Sequence, residues 1–181
     1  MRHRAVFLDR DGTLNEPVVR DGLPKPATVV EDVVFSHGAR EAVALLKQSN
    51  FVTICVTNQP DVARGTLSLA DAQSINRYVA TQLSLDDLRA CFHDDGDGCD
   101  CRKPLPGMLF RGAASWDVDP CRSYMVGDRW RDIEAGAAAG CRTVLIDRQW
   151  PERAARVEPD ARVASLSDAV RWIVDDPWSF E

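Results

Sequence analysis

Long apolar runs, an excess of positive charge and internal repeats are absent from this 181-residue sequence. No segment approaches the roughly 18 consecutive apolar residues that a membrane-spanning helix requires. The N-terminal stretch MRHRAVFLDRDG contains an apolar run of only four residues, which is too short for the apolar part of a signal peptide. Together these features predict a cytoplasmic protein that does not contact a membrane.

The charge balance excludes a further class of function. The net charge of -6 argues against a surface built to bind nucleic acid, although it leaves room for a small basic pocket that takes an anion. A hydrophobic content of 45% and a charged content of 28% are typical of a globular protein. The length fits a single domain over residues 1–181.

Short apolar segments alternate with helical patterns along the chain. Strands are expected at 5–8, 51–57, 87–92, 123–128 and 142–147, and helices at 38–50, 68–83, 106–116, 130–140 and 165–174. Ser68, with Asp71 three residues later, resembles a helix cap, and Gly140 is typical of a helix end. This alternation predicts an α/β fold with a parallel sheet covered by helices on both faces.

Polar side chains follow the predicted strands, at the edge of the sheet where parallel folds bind their ligands. They are Asp9 and Asp11 after the first strand, Thr57 and Asn58 after the second, Cys91 and His93 after the third, and Asp128 after the fourth. Three carboxylates in one pocket repel one another, so they need raised pKa values or a cation, and oxygen ligands suit Mg²⁺. Thr57 and Lys103 could then hold a phosphoryl group that a carboxylate attacks.

Four short motifs occur in a fixed order along the chain: DRDGT at 9–13, VTN at 56–58, RKP at 102–104 and GDRWRD at 127–132. In this order they resemble the four motifs of the haloacid dehalogenase (HAD) superfamily of phosphohydrolases. The resemblance implies a Rossmann-like sheet and a phosphatase, a phosphoric monoester hydrolase. A glycosidase with two carboxylates is the rival interpretation, and it leaves Thr57, Lys103 and Asp128 without roles.

The resemblance also implies a role for each matching residue. Asp9 is expected to be the nucleophile that forms an aspartyl-phosphate, and Asp11 the general acid and then the general base. Mg²⁺ is expected to be bound by Asp9, the backbone carbonyl of Asp11, and Asp128. Thr57 and Lys103 would steady the phosphoryl group, and Asp132, one helical turn beyond Asp128, would lie just outside the ligand set.

Three of the six cysteines and one of the three histidines lie in one loop over residues 91–101. Cys91-x-His93, five residues, then Cys99-x-Cys101 can form a tetrahedral structural Zn²⁺ site. A metal-free polar loop and a redox centre are the alternatives, the latter disfavoured in a reducing compartment. The remaining cysteines, Cys55, Cys121 and Cys141, are expected to be small buried hydrophobes.

The position of this loop directly before RKP resembles the heptose-bisphosphate and histidinol-phosphate phosphatase subgroup, which has no large cap domain. TNQPDVARG at 57–65 resembles that subgroup's TNQSGIARG. Asn58, Gln59, Arg102 and Arg129 are accordingly expected to contact substrate, and the segment 16–38, with Arg20 and Lys25, to border the pocket.

The implied partner is a small phosphorylated metabolite, namely the sugar bisphosphate D-glycero-D-manno-heptose 1,7-bisphosphate, cleaved at its 7-phosphate. Histidinol phosphate and another small sugar phosphate are the alternative substrates. A non-catalytic, zinc-stabilised binding module is the alternative from a different class. We expect the protein to act as a monomer.

Overall fold

A computed structural model describes residues 2–20 and 23–176, with the side chains of residues 19, 20, 23 and 24 outside the description. The strands are β1 Arg4–Leu8, β2 Val18–Arg20, β3 Leu23–Lys25, β4 Phe51–Asn58, β5 Asp87–Cys91, β6 Tyr124–Gly127, β7 Arg142–Ile146 and β8 Ala161–Val163. The helices are α1 Ala39–Gln48, α2 Leu69–Gln82, α3 Gly107–Ser115, α4 Trp130–Ala139 and α5 Leu166–Asp175. All five predicted strands and all five predicted helices are therefore present.

Six strands form one sheet in the order β5-β4-β1-β6-β7-β8, and every neighbouring pair is parallel. The side chains of β1 alternate between two apolar cores, as the twofold period of a strand requires. Val6 and Leu8 pack in a core with α1, α2 and α5, whereas Ala5 and Phe7 pack in a second core with α3 and α4. This burial of both faces explains why the strands are continuously apolar.

Two helix boundaries follow the predicted chemistry. The Ser68 hydroxyl accepts a hydrogen bond from the Asp71 backbone N–H at 3.0 Å, so it caps α2. Gly140 ends α4 with a φ of 84°, a left-handed conformation that favours glycine.

Three features were not predicted or were predicted wrongly. The β2–β3 hairpin and the three-residue strand β8 are too short to give a periodic signal. Cys121 is exposed rather than buried, because it lies in a short 3₁₀ turn and not in the adjacent strand.

Among the described helices, none is both long and apolar enough to cross a bilayer.

The register of the sheet places the ends of β1, β4 and β6 side by side. Leu8 pairs with Cys55 on one side and with Val126 on the other. The Asp9 backbone N–H then donates to the Val126 carbonyl at 2.9 Å. Residues that are more than a hundred positions apart in the sequence therefore converge where these strands end.

Candidate active site

Asp9, Asp128 and Asp132 form a cluster of buried carboxylates, with one oxygen of each lying within 4.8 Å of the others. Burial raises the pKa of Asp9 to about 6, with Lys103 opposing the rise and Asp132 adding to it. Burial, and then the charges of Asp9 and Asp132, raise the pKa of Asp128 well above its ordinary value. Oδ1 of Asp128 is buried without a hydrogen-bond donor among residues 2–20 and 23–176. Such a cluster is a ready donor set for a hard cation.

Asp132 enters this cluster from the first turn of α4. Its Oδ2 accepts from the Arg129 backbone N–H at 3.1 Å, which caps the helix. Its Oδ1 accepts from the Lys103 ammonium at 2.6 Å. The family resemblance places Asp132 just outside the ligand set. In the structure its carboxylate lies in the same cluster as those of Asp9 and Asp128.

Lys103 is buried, and its ammonium uses all three of its protons inside the site. Nζ donates to Asp9 Oδ1 at 2.6 Å, to Asp132 Oδ1 at 2.6 Å and to the Val56 carbonyl at 2.7 Å. Burial alone would lower the pKa of Lys103, but the charges of Asp132 and Asp9 outweigh it and raise the pKa above its ordinary value. Lys103 is therefore a fixed positive charge between the carboxylates of Asp9 and Asp132.

Asp11 is held by donors on several sides. Arg10, which is fully buried, donates from Nη2 at 2.7 Å, and Asn15 and Gln59 donate from their amides at 3.0 Å and 2.9 Å. Burial raises the pKa of Asp11, but the Arg10 charge and these hydrogen bonds outweigh it, so the pKa lies below its ordinary value. In the described arrangement Asp11 is an ionised carboxylate.

Gly12 makes the close approach of this loop to β6 possible. Its φ is 96°, and a Cβ built there would lie 2.1 Å from Asp128 Oδ2. Only glycine fits this turn, because any side chain would displace the Asp128 carboxylate.

The side-chain amides of Gln59 and Asn58, both predicted to contact substrate, are hydrogen-bonded within the protein. Gln59 is buried beneath the cavity, and its amide nitrogen donates to Asp11 at 2.9 Å and to Thr57 Oγ1 at 2.8 Å. Asn58 borders the cavity, but its side-chain amide bonds both the N–H and the carbonyl of Lys103, at 3.0 Å and 2.9 Å. Gln59 therefore holds the Asp11 carboxylate and Asn58 holds the Lys103 backbone, roles that a polar residue type at a strand end does not reveal.

The side chains of Cys91, His93, Cys99 and Cys101 converge as the spacing predicts. Their ligand atoms are 3.2 Å apart for Cys91 and Cys101, 3.3 Å for His93 Nδ1 and Cys101, and 3.7 Å for Cys91 and Cys99. A tetrahedral zinc ion at about 2.3 Å from sulfur separates its ligands by roughly 3.5–3.8 Å. The donor set and its size therefore fit Zn²⁺.

A cavity of about 330 Å³ opens onto the carboxylates, and this volume suits a small metabolite. Its walls carry Asp9, Asp11, Thr57, Asn58 and Asp132, together with six cationic side chains: Lys25, Arg64, Arg102, Lys103, Arg129 and Arg131. Lys25 belongs to the segment predicted to border the pocket; Arg20 in the same segment lies outside the described side chains. The wall also carries five acidic side chains, Asp9, Asp11, Asp61, Asp95 and Asp132, so the cationic side chains exceed the acidic ones by one. Clustered arginines of this kind suit an anion with more than one charged group.

Acidic residues of the 91–101 loop neutralise part of this cationic wall. Arg102 Nε donates to Asp95 Oδ1 at 2.7 Å, and Arg102 Nη1 donates to the His93 carbonyl at 3.3 Å. Arg64 makes a bidentate pair with Asp94, with both bonds at 2.7 Å. Arg64 was not singled out in the sequence, although it lies in the TNQPDVARG motif and could have been found there.

On the opposite side of the cavity, Arg129 pairs with Glu152 and lies 5.6 Å from the centroid of the Trp150 ring. Trp130 faces away from the cavity: its ring packs against Arg131 and Arg153, at 4.3 Å and 3.3 Å from the ring centroid. Trp150 donates its indole N–H to Asp128 Oδ2 at 2.5 Å. No sequence pattern predicted this contact, which joins residues 22 positions apart.

A parallel α/β sheet that gathers a strand-end carboxylate, a buried lysine and two further carboxylates at one edge defines a HAD-like phosphohydrolase. Residues 100–169 match the model of the HAD-hydrolase-like family. The chain is 34% identical to D-glycero-beta-D-manno-heptose-1,7-bisphosphate 7-phosphatase of Haemophilus ducreyi, over 96% of this chain and 100% of that protein. The enzyme of the same name from Pasteurella multocida is 36% identical over 79% of this chain and 81% of its own length.

The fold agrees with a solved structure of the same kind. The D,D-heptose 1,7-bisphosphate phosphatase of B. bronchiseptica, complexed with magnesium and phosphate, superposes with a TM-score of 0.82. It is 29% identical, and the match covers 94% of this chain and 98% of that one. The chain belongs to the HAD-like hydrolases, in the family of these heptose-bisphosphate phosphatases, and is a phosphatase.

The carboxylate cluster predicts opposite effects for two similar substitutions on protein kept in EDTA. D128N should raise the free energy of unfolding by about 1–2 kcal/mol, because it removes one of three repelling buried charges and keeps an acceptor for Trp150. D132N should lower it by about 1–3 kcal/mol, because Lys103 loses a charged partner and α4 loses part of its cap. Urea unfolding of the two variants and the wild type measures both effects. A loss of stability in D128N would contradict the repulsion argument.

Proposed function

We propose that the chain is a magnesium-dependent phosphatase that removes the 7-phosphate of D-glycero-D-manno-heptose 1,7-bisphosphate through an aspartyl-phosphate on Asp9. The observation that carries the proposal is the juxtaposition of the buried carboxylate–lysine cluster with a cavity whose wall is cationic. The first binds and transfers a phosphoryl group, and the second recognises further negative charge on the same substrate. The names of the heptose-bisphosphate phosphatases among its relatives support the same substrate.

Asp9 is the nucleophile of this proposal. Lys103 holds its Oδ1, at 2.6 Å, which fixes the carboxylate and keeps it ionised despite its burial. The other oxygen attacks phosphorus, and a bond forms between them as the bond from phosphorus to the sugar oxygen breaks. Thr57, in the cavity wall, donates a hydrogen bond to a phosphoryl oxygen, and the positive charge of Lys103 stabilises the negative charge that redistributes among the phosphoryl oxygens.

Asp11 is the general acid and then the general base of this proposal. It gives a proton to the departing sugar oxygen, and then accepts one from the water that attacks the phosphoryl group and frees Asp9. In the described arrangement Arg10 keeps Asp11 ionised, so the proton must be acquired when the substrate binds. An adjacent phosphate dianion favours this step, because a nearby like charge raises the pKa of a carboxylic acid.

The cluster fits Mg²⁺ as its resident cation. The proposed ligands are carboxylate oxygens of Asp9 and Asp128 and the backbone carbonyl of Asp11, with Asp132 alongside. The buried Asp128 Oδ1 lacks a donor within the described chain, as an oxygen reserved for a cation would. When bound, Mg²⁺ supplies positive charge that neutralises the phosphoryl oxygens.

A substrate panel tests the proposed function. Heptose 1,7-bisphosphate, histidinol phosphate and an aryl phosphate are compared at one Mg²⁺ concentration, with release of inorganic phosphate as the readout. The bisphosphate should have the highest kcat/KM and should lose a single phosphate, from C7. D9N should reduce turnover by roughly a thousandfold or more, since it removes the nucleophile.

The matched control for D9N is D100N, which alters a carboxylate that pairs with Arg111 outside the cavity. Its turnover should stay close to that of the wild type. Substantial turnover by D9N would exclude the aspartyl-phosphate route. A preference for histidinol phosphate would instead keep the mechanism and replace the substrate.

Recognition of the second phosphate is assigned to the arginines beside the 91–101 loop, with Arg102 at their centre. R102A should lower kcat/KM for the bisphosphate by about 10- to 100-fold, as expected for the loss of a charge-assisted hydrogen bond. D95N should have the opposite effect, a lower KM, because the phosphate no longer competes with Asp95 for the guanidinium. R171A, which alters an exposed arginine on α5 outside the cavity wall, is the neutral control. Equal losses on bisphosphate and aryl phosphate would remove Arg102 from this role.

We assign the four-residue cluster at 91–101 to a structural Zn²⁺ ion. Burial, and then the hydrogen bond with Cys101, raise the pKa of Cys91 to about 12, so metal binding must release protons from the thiols. Elemental analysis of untagged protein should find about one zinc per chain. C99S should lose it, whereas C121S, at an exposed cysteine outside the cluster, should retain it. Well-folded wild-type protein that contains no zinc would contradict this assignment.

A further inference from the structure

The segment 147–153, which follows β7, connects the carboxylate cluster with the loop after β1. Arg148 Nε donates to the Gly12 carbonyl at 3.2 Å, and its two terminal nitrogens donate to the Glu16 carboxylate at 2.9 Å each. Two residues further, Trp150 reaches Asp128. The segment therefore touches both carboxylate-bearing strand ends of the central sheet.

The two oxygens of Asp128 have different surroundings. Oδ2 accepts from the Trp150 indole N–H at 2.5 Å, whereas the buried Oδ1 has no donor within the described residues. An indole N–H can only donate, so it neither binds a cation nor competes for one. The hydrogen bond therefore determines which oxygen of Asp128 is left for a cation.

The indole itself is held from several directions. The Arg129 guanidinium lies over its ring, 5.6 Å from the centroid, and Arg129 is in turn paired with Glu152. The chain turns before it at Gln149, whose φ of 54° is unusual for a residue other than glycine, asparagine or aspartate. Strained backbone of this kind persists where the surrounding contacts require it, often beside a functional site.

Gly12 also packs against Asp128, and a Cβ at Gly12 would lie 2.1 Å from Oδ2. Both the Gly12 backbone and the Trp150 indole therefore adjoin the Oδ2 end of the carboxylate. Its rotation about the terminal side-chain bond would cost the Trp150 hydrogen bond, and a charge-assisted bond of this type is among the stronger ones in proteins.

We propose that Trp150 is a positioning residue for the magnesium site: its N–H fixes Oδ2 of Asp128 and presents Oδ1 to the cation. This inference rests on the proposed function, since it presupposes that Asp128 binds Mg²⁺. Partners that orient a metal ligand in this way commonly contribute 10- to 100-fold to metal affinity. Trp150 touches neither substrate nor cation, so its contribution is to binding of the metal rather than to the chemical step.

The test is W150F, which keeps an aromatic ring and removes the N–H. Calorimetric titration with Mg²⁺ alone should give a dissociation constant about tenfold higher or more than that of the wild type. At saturating Mg²⁺, kcat should remain within a few-fold. W130F is the matched control. Trp130 is the first residue of α4 and lies close to Asp128 in the sequence, but its ring stacks on arginines and does not bond the carboxylate. W130F should bind Mg²⁺ as the wild type does.

A second measurement does not depend on whether a Trp150 variant folds, because it uses the wild type and D128N. The chain has five tryptophans, so its indole N–H resonances can be resolved in a ¹H–¹⁵N spectrum. One of them should be shifted downfield by the Asp128 carboxylate, should move when Mg²⁺ is added, and should move upfield in D128N, where the acceptor is no longer charged. An indole spectrum that is unchanged in D128N would overturn the inference.

The outcomes separate this inference from the proposed function. Wild-type protein that binds no Mg²⁺ and releases no phosphate would refute both. Wild-type protein that is active and binds Mg²⁺, together with a folded W150F of equal affinity, would refute the positioning role and leave the phosphatase intact. Weaker Mg²⁺ binding in W150F, with W130F unchanged, supports it.

Discussion

The buried ammonium of Lys103 is the interaction on which the rest of the site depends. It joins Asp9 at the end of β1, Asp132 at the start of α4 and the carbonyl of Val56 in β4, with each bond at 2.6–2.7 Å. The amide of Asn58, in the same strand as Val56, fixes the backbone of Lys103. Two strands of the sheet and a helix are thus linked through one positive charge, and their relative placement decides where a phosphoryl group can bind.

One lysine does not balance the cluster. The cluster holds three carboxylates, of which Lys103 contacts two, so the buried charge stays negative. The raised pKa values of Asp9 and Asp128 express the free energy that this arrangement costs. Functional sites commonly carry such costs, which the apolar cores on both faces of the sheet offset. The carboxylates are therefore placed for binding a cation and a phosphate rather than for the stability of the fold.

The parts of the site that follow a strand could be predicted, because parallel strands all end at the same edge of the sheet. Asp9, Thr57 and Asp128 are found where the pattern put them, and Cys91, His93, Cys99 and Cys101 could be grouped because they lie within eleven positions of one another. Arg10 could not be assigned: a charged residue between two aspartates indicates a solvated turn, yet it is fully buried. Trp150 was missed for a different reason, since its partner is distant in sequence and neither residue belongs to a periodic pattern.

Under the proposed function, the acidic residues of the 91–101 loop give the cavity a means of selecting its substrate. Asp94 and Asp95 are paired with Arg64 and Arg102, so those arginines already have carboxylate partners. Asp95 is mostly exposed, with 65% of its side chain accessible, and an exposed ion pair contributes little free energy. A phosphate carries more charge and more acceptor oxygens than one carboxylate, so it can displace Asp95 from Arg102. A monoester without a second anionic group has no means of doing so, and this difference favours a bisphosphate over a simple phosphate ester.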